Sequence, residues 1–139
     1  MRQLAALVLI ATLVMPGAVR SADDPTPNAP IRDVISGQIE ALRLDDFATA
    51  FGFASPVIRE MFGTEERFGR MVREGYPMVY RPEGLRFGEL RERGGRLWQR
   101  VIVTDAAGRL HTLDYQMLET DAGWRINGVV LIQAPGAGV

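Results

Sequence analysis

Residues 96–133 read RLWQRVIVT, DAAG, RLHTLDYQMLE, TDAG and WRINGVVLIQ in succession, and this stretch decides the fold. The runs 96–104, 109–119 and 124–133 are rich in β-branched, aromatic and aliphatic residues and have strand length. Asp105-Ala106-Ala107-Gly108 and Thr120-Asp121-Ala122-Gly123 lie between them as short turns. The pattern predicts an antiparallel meander. Just upstream, Gly94-Gly95 fits a two-residue hairpin turn that needs positive φ, and residues 85–93 precede it as a fourth strand. There Leu85 and Phe87 share a face while Leu90 falls out of step, which a bulge at Gly88 would correct. In the last strand Trp124, Ile126, Gly128, Val130 and Ile132 fall on one face and are expected to form a core stripe.

Working back towards the N-terminus, the periodicity becomes helical. Ile31, Val34, Ile35, Ile39 and Leu42 mark one face of a helix over residues 31–44, with Asn28 as its cap and Pro30 in its first turn. Asp45 is the expected N-cap of a second helix over 46–54, with Phe47, Ala50, Phe51 and Ala54 on a shared face. Ser55-Pro56 opens a short third helix whose apolar positions are Val57, Ile58, Met61 and Phe62, and Gly63 ends it. Thr64 caps a fourth, with Glu65 and Glu66 in the first turn, where the helix dipole favours acids. Phe68, Met71 and Val72 form its apolar side, and residues 78–80 are read as a short strand in the transition that follows. One face of the sheet must be covered, and the amphipathic helices are available to cover it. The expected fold class is α+β: N-terminal helices packed on a strongly curved antiparallel sheet of about four strands, an arrangement that often leaves a cavity between the layers.

Composition bounds the function. A chain of 139 residues with 47% hydrophobic and 24% charged residues is one ordinary globular domain. It has no cysteine, which removes disulfides, thiolate nucleophiles and zinc–cysteine sites. All 16 basic residues are arginine, which reads as a trace of a GC-rich genome. Met1-Arg2-Gln3 is a basic start to an apolar run over residues 4–15, and Pro16-Gly17 breaks it. That run is shorter than the about 20 residues a membrane helix needs, so it reads as a secretory signal peptide cleaved near Ser21/Ala22. The expected organisation is signal peptide 1–21, proline-rich spacer 22–30, domain 31–133 and a loose tail 134–139. Export implies a periplasmic or secreted protein with no membrane span once the signal is removed. Removing Arg2 and Arg20 shifts the formal charge from −1 to −3, which makes nucleic acid a poor partner.

The order of helices, then meander, closing on Gly123-Trp124-Arg125-Ile126-Asn127-Gly128, resembles the nuclear transport factor 2-like, or SnoaL-like, cone fold. Residues 38–42 (QIEAL), Asp45-Asp46, residues 47–51 (FATAF) and Phe53-Ala54-Ser55-Pro56 are similar to an uncharacterised secreted bacterial family, domain of unknown function 4864. The resemblance covers residues 30–133. It implies the cone fold, and it implies no reaction.

The chemistry-bearing residues are few. His111, the only histidine, shares a strand face with Leu113, Tyr115 and Met117 and could serve as a pocket acid or base. With no second histidine at ligand spacing, no metal or cofactor site is expected. Tyr76, Tyr80 and Tyr115 could place hydroxyls around a cavity mouth, with Tyr115 expected to line the interior and Tyr80 to reach its rim. Tyr80, His111 and Tyr115 are therefore the candidate ligand-binding residues; a structural tyrosine or a solvated histidine is the plainer reading. Asp114, with Thr112 and Gln116, falls on the opposite face and is expected to be an exposed strand residue. Arg81, Arg86, Arg91, Arg93, Arg96 and Arg100 interleave with Glu83, Glu89 and Glu92, a mixture that predicts cross-strand ion pairs on a wet face. No GxSxG or phosphate-loop spacing is present. Three expectations follow. The first is a non-enzymatic domain that binds a small apolar ligand or a protein partner. The second is a cavity enzyme of the isomerase or dehydratase type that uses His111 and Tyr115. The third is a homodimerisation module acting through Thr112, Asp114 and Gln116 with Arg125 and Asn127.

Overall fold

The computed structural model describes residues 28–132. The expected signal peptide, most of the spacer and the tail lie outside the described residues. Helix α1 (Asn28–Arg43) begins earlier than its apolar spacing predicts, so the last three residues of the expected spacer are its first turn. Pro30 suits that position because the first N–H groups of a helix have no intrahelical partner. Ile31, Ile35, Ile39 and Leu42 are all buried along one stripe, each side chain contributing about 1.5–3 kcal/mol of hydrophobic stabilisation.

The second helix, α2 (Phe47–Gly52), is capped by Asp46 rather than by Asp45: the Asp46 carboxylate accepts the Thr49 N–H at 3.2 Å. Asp45 instead adopts φ +56°, a left-handed conformation that aspartate tolerates, and it turns the chain out of α1. Helices α3 (Pro56–Phe62) and α4 (Glu65–Gly75) carry the expected Ser55 and Thr64 caps. Residues 78–80 are not a strand. They lie in α5 (Pro77–Tyr80), a single turn in which the Tyr76 carbonyl accepts N–H groups from both Val79 and Tyr80. Pro77 presets φ for that turn, and local closure prevails over strand pairing.

Strands β1 (Gly84–Arg93), β2 (Arg96–Thr104), β3 (Leu110–Thr120) and β4 (Gly123–Ile132) form one antiparallel sheet in sequence order. Gly94 and Gly95 turn the first hairpin at φ 62° and 75°. The register shifts between Phe87 and Leu90, where a bulge was expected, and Gln99 fills the gap by donating to the carbonyls of Gly88 at 3.0 Å and Arg100 at 2.9 Å.

A second bulge overturns the expected β4 stripe. Met117 pairs with Ile126 and Gln116 with Gly128, which leaves Asn127 as an extra residue. Strand parity reverses there: Ile126 is buried, Val129 rather than Val130 packs on the core, and Val130 is exposed opposite Asp114.

The sheet is not strongly curled, against expectation. Its strands pair only with their sequence neighbours, so β1 and β4 remain its two ends and no pairing closes it. The helices pack against the face bearing Val101, Val103, Leu113, Tyr115 and Met117, and all of these are buried with α1 in one core.

Candidate functional site

The helical layer does not fill the space above β3 and β4. A cavity of about 180 Å³ remains. Its floor is Tyr115 with Ile126, Gly128 and Val129; α1 contributes Gln38 and Leu42; α4 contributes Phe68, Met71 and Val72; Ile58, Met61 and Phe62 of α3 stand at its side. No charged side chain lines it. Access runs past α3, which contributes no buried residue and leaves Met61 67% exposed. Val57 and Met61 are apolar positions of that helix, yet both are largely exposed, because a two-turn helix at the edge of the layer, packed chiefly on α4 and β4, has too little protein around it to bury its whole apolar face.

The anchor of α3 is polar. Ser55 Oγ donates to Asn127 Oδ1 at 2.8 Å and accepts the Ile58 N–H at 3.3 Å. Asn127 Nδ2 in turn donates to Gln116 Oε1 at 2.7 Å. Backbone bonds from Ser55 N to the Ile126 carbonyl and from Ile126 N to the Phe53 carbonyl attach the segment to β4. The β4 bulge thus turns Asn127 towards the start of α3 and fixes one end of the cavity wall.

Three polar side chains reach the cavity. Gln38 donates its amide to the Ala50 carbonyl at 3.1 Å, and the Tyr76 hydroxyl donates to the Val129 carbonyl at 3.2 Å. The third, Tyr115, is fully buried, and its hydroxyl has no hydrogen-bond partner. Burial, with the neighbouring Tyr76, pushes its phenol well above the ordinary tyrosine range, so it stays protonated and neutral.

The sequence candidates are therefore separated. Tyr115 lies in the cavity. His111 lies four residues away on β3 and lines a different, open cleft with Pro77, Met78, Arg81 and Arg109. Its Nε2 is 2.8 Å from Asp105 Oδ2, while Asp105 Oδ1 accepts the N–H groups of Ala107 and Arg109, each at 2.9 Å. The His111 hydrogen bond, then these backbone donors, hold the Asp105 carboxyl below the usual carboxylate range. Tyr80 lines neither the cavity nor the cleft; its hydroxyl bonds to Asp45, which also pairs with Arg81 at 2.7 Å. The structure does not bring His111 and Tyr115 together. Tyr76, one of the three tyrosines expected around a cavity mouth, does line the cavity. Gln38 escaped the sequence reading, although it carried a signal: it is a polar residue on the apolar face of α1, between Ile35 and Leu42.

On the opposite face of the sheet Asp114 has the expected side but not the expected exposure. It is 1% exposed, with Arg91 Nη2 at 2.7 Å, Arg100 Nε at 2.9 Å and Arg100 Nη2 at 3.0 Å. Cross-strand ion pairing is present as expected, but its acid is mainly Asp114; Glu89 reaches Arg91 only at 3.5 Å. Gly88 makes the cover possible, because a Cβ there would stand 2.9 Å from Arg100 Cγ. The hydrogen bond to Arg100 chiefly holds the Asp114 carboxyl below its ordinary range.

Helices on one face of an open antiparallel sheet, with an apolar cavity between the layers, define a small α+β domain. Residues 25–139 match the family model described as Domain of unknown function (DUF4864), and the chain belongs to that family. Comparison with curated proteins and with solved structures gave no match.

Proposed function

We propose that this domain binds a small apolar molecule in the cavity over Tyr115 and acts as a binding domain rather than through chemistry of its own. The observation that carries the reading is the lining: apolar throughout except for Gln38, Tyr76 and Tyr115, with no acid, histidine or arginine among its residues. Apolar concave sites with a few placed polar groups are the usual form of small-ligand pockets. The isomerase or dehydratase alternative draws no support from His111, which faces the other cleft. We further propose that the chain is exported, on the strength of residues 1–21, and that its layers are a shallow variant of the nuclear transport factor 2-like arrangement. No helix among the described residues is long and apolar enough to cross a membrane.

Native mass spectrometry of gently purified protein tests the binding reading. A discrete bound mass should accompany the wild type and be lost from Val72→Phe, which adds a ring to a buried cavity wall. A bound mass that survives Val72→Phe would refute it.

A second reading, homodimerisation through the outer sheet face, has one observation in its favour. Val130 is 45% exposed there beside the Arg91–Asp114–Arg100 cluster, and the helices lie on the other face. A molecular mass that remains monomeric at high concentration would remove it.

A further inference from the structure

Resting on the cavity reading above, we infer that the ligand is a neutral, largely hydrocarbon molecule about the size of a substituted benzene, whose single carbonyl or ether oxygen accepts a hydrogen bond from the Tyr115 hydroxyl. Size comes first. A cavity of about 150 Å³ lined by aliphatic and aromatic side chains holds benzene, so about 180 Å³ accommodates one ring with a small substituent. Charge comes second. No arginine, histidine or acid lines the cavity, and an ion brought into it would lose its hydration with nothing to replace it. The ligand is therefore not a carboxylate or an amine cation.

The hydrogen-bond inventory fixes the polar handle. Gln38 has committed one of its two amide hydrogens to Ala50 and is held by that bond, and Tyr76 has committed its single hydroxyl hydrogen to Val129. The Tyr115 proton is uncommitted, inside a fully buried side chain that lines the same cavity. A buried donor without a partner is a standing cost to the empty protein. A phenylalanine would occupy the same space without it. A ligand oxygen placed against the hydroxyl removes that cost on binding, so the penalty of the empty state becomes selectivity for molecules bearing an acceptor. Ile58 and the exposed Met61 of α3 give such a molecule an apolar way in.

Three probes of one shape test this: acetophenone, α-methylstyrene, in which a methylene replaces the carbonyl oxygen, and benzoate. Calorimetry at neutral pH gives the affinity of each for the wild type and for Tyr115→Phe. The informative quantity is the ratio of ketone to hydrocarbon affinity, because the ketone leaves behind hydration that the hydrocarbon never had. That ratio should fall about tenfold on Tyr115→Phe, through weaker ketone binding alone. Benzoate should bind neither protein. As a check that needs no variant, the carbonyl ¹³C resonance of acetophenone should move downfield on binding the wild type, as it does for a carbonyl that accepts a hydrogen bond.

An unchanged ratio with an unshifted carbonyl overturns the inference and leaves the cavity reading standing. Benzoate binding as tight as that of acetophenone does the same. Failure of both neutral probes to bind the wild type overturns the inference and the cavity reading together.

Discussion

Asp114→Asn isolates the one charged group that the sheet hides. The substitution keeps the shape, removes the charge, and puts an amide N–H₂ where a guanidinium N–H now finds an acceptor. Breaking a fully buried ion pair costs about 3–5 kcal/mol, and breaking an exposed one costs about 0–1 kcal/mol. Asp114 falls between these limits. It is 1% exposed, but its cover is a single layer made of the two arginines themselves, whose side chains are 33% and 28% exposed. An intermediate cost of about 2 kcal/mol is therefore expected. With a urea m-value of about 2 kcal/mol per molar for a domain this small, the unfolding midpoint should fall by about 1 M. The pH dependence supplies a second check with a fixed sign. The native carboxyl is held below its unfolded value, so its stabilisation is complete above pH about 4 and is lost as pH falls through the depressed native value. The gap between wild type and variant should thus be full at pH 7 and shrink below pH about 4. Glu89→Gln, at an exposed contact of 3.5 Å, should move the midpoint little. Equal midpoints at pH 7, or a gap that persists unchanged at pH 2, would refute the argument that charge pairing holds this face of the sheet.

Tyr115→Phe should raise the thermal midpoint of the empty protein or leave it unchanged, because the hydroxyl it removes has no partner; a drop of several degrees in calorimetry would mean the hydroxyl is bonded. Gly69→Ala and Gly75→Ala, both in α4, should differ in sign. At position 69 a Cβ would stand 2.6 Å from the Phe47 ring, and overpacking of about 1–3 kcal/mol should exceed the gain in helix propensity of about 1 kcal/mol, whereas nothing lies within 4 Å at position 75; chemical denaturation of both variants checks the pair. Ser55→Ala should cost about 1–2 kcal/mol by removing the α3 cap and the bond to Asn127, and hydrogen exchange should show faster opening in α3 than in α4.

These tests fall mostly where the sequence was least legible, for a physical reason. The helix order, three of the element boundaries at Ser55, Thr64 and Gly94-Gly95, and the Gly88 bulge follow from local rules of capping, turn geometry and period, and local rules can be read from neighbouring residues. The Asn127 bulge cannot. The alternation of residues 124–127 gives way to an unbroken apolar run over 129–132, which suits either face and so does not place the extra residue; in the structure it falls at Asn127, which bonds to Ser55 from the helical layer and to Gln116 from the next strand. A single such residue sends Val130 outward and Val129 inward, and so changes the cavity floor. The burial of Asp114 is illegible for a similar reason: parity gives its face, but its cover consists of two arginines from other strands lying across it. The site itself divides the same way. That Tyr115 points inward followed from alternation along β3. That its hydroxyl is left without a partner depends on where the neighbouring Gln38 and Tyr76 bond instead, to Ala50 of α2 and Val129 of β4. On the proposed binding reading, selectivity in this cavity is a property of α1, α2, β3 and β4 meeting, and substitutions at Gln38 or Tyr76 should alter ligand preference through Tyr115 even where they make no contact with the ligand.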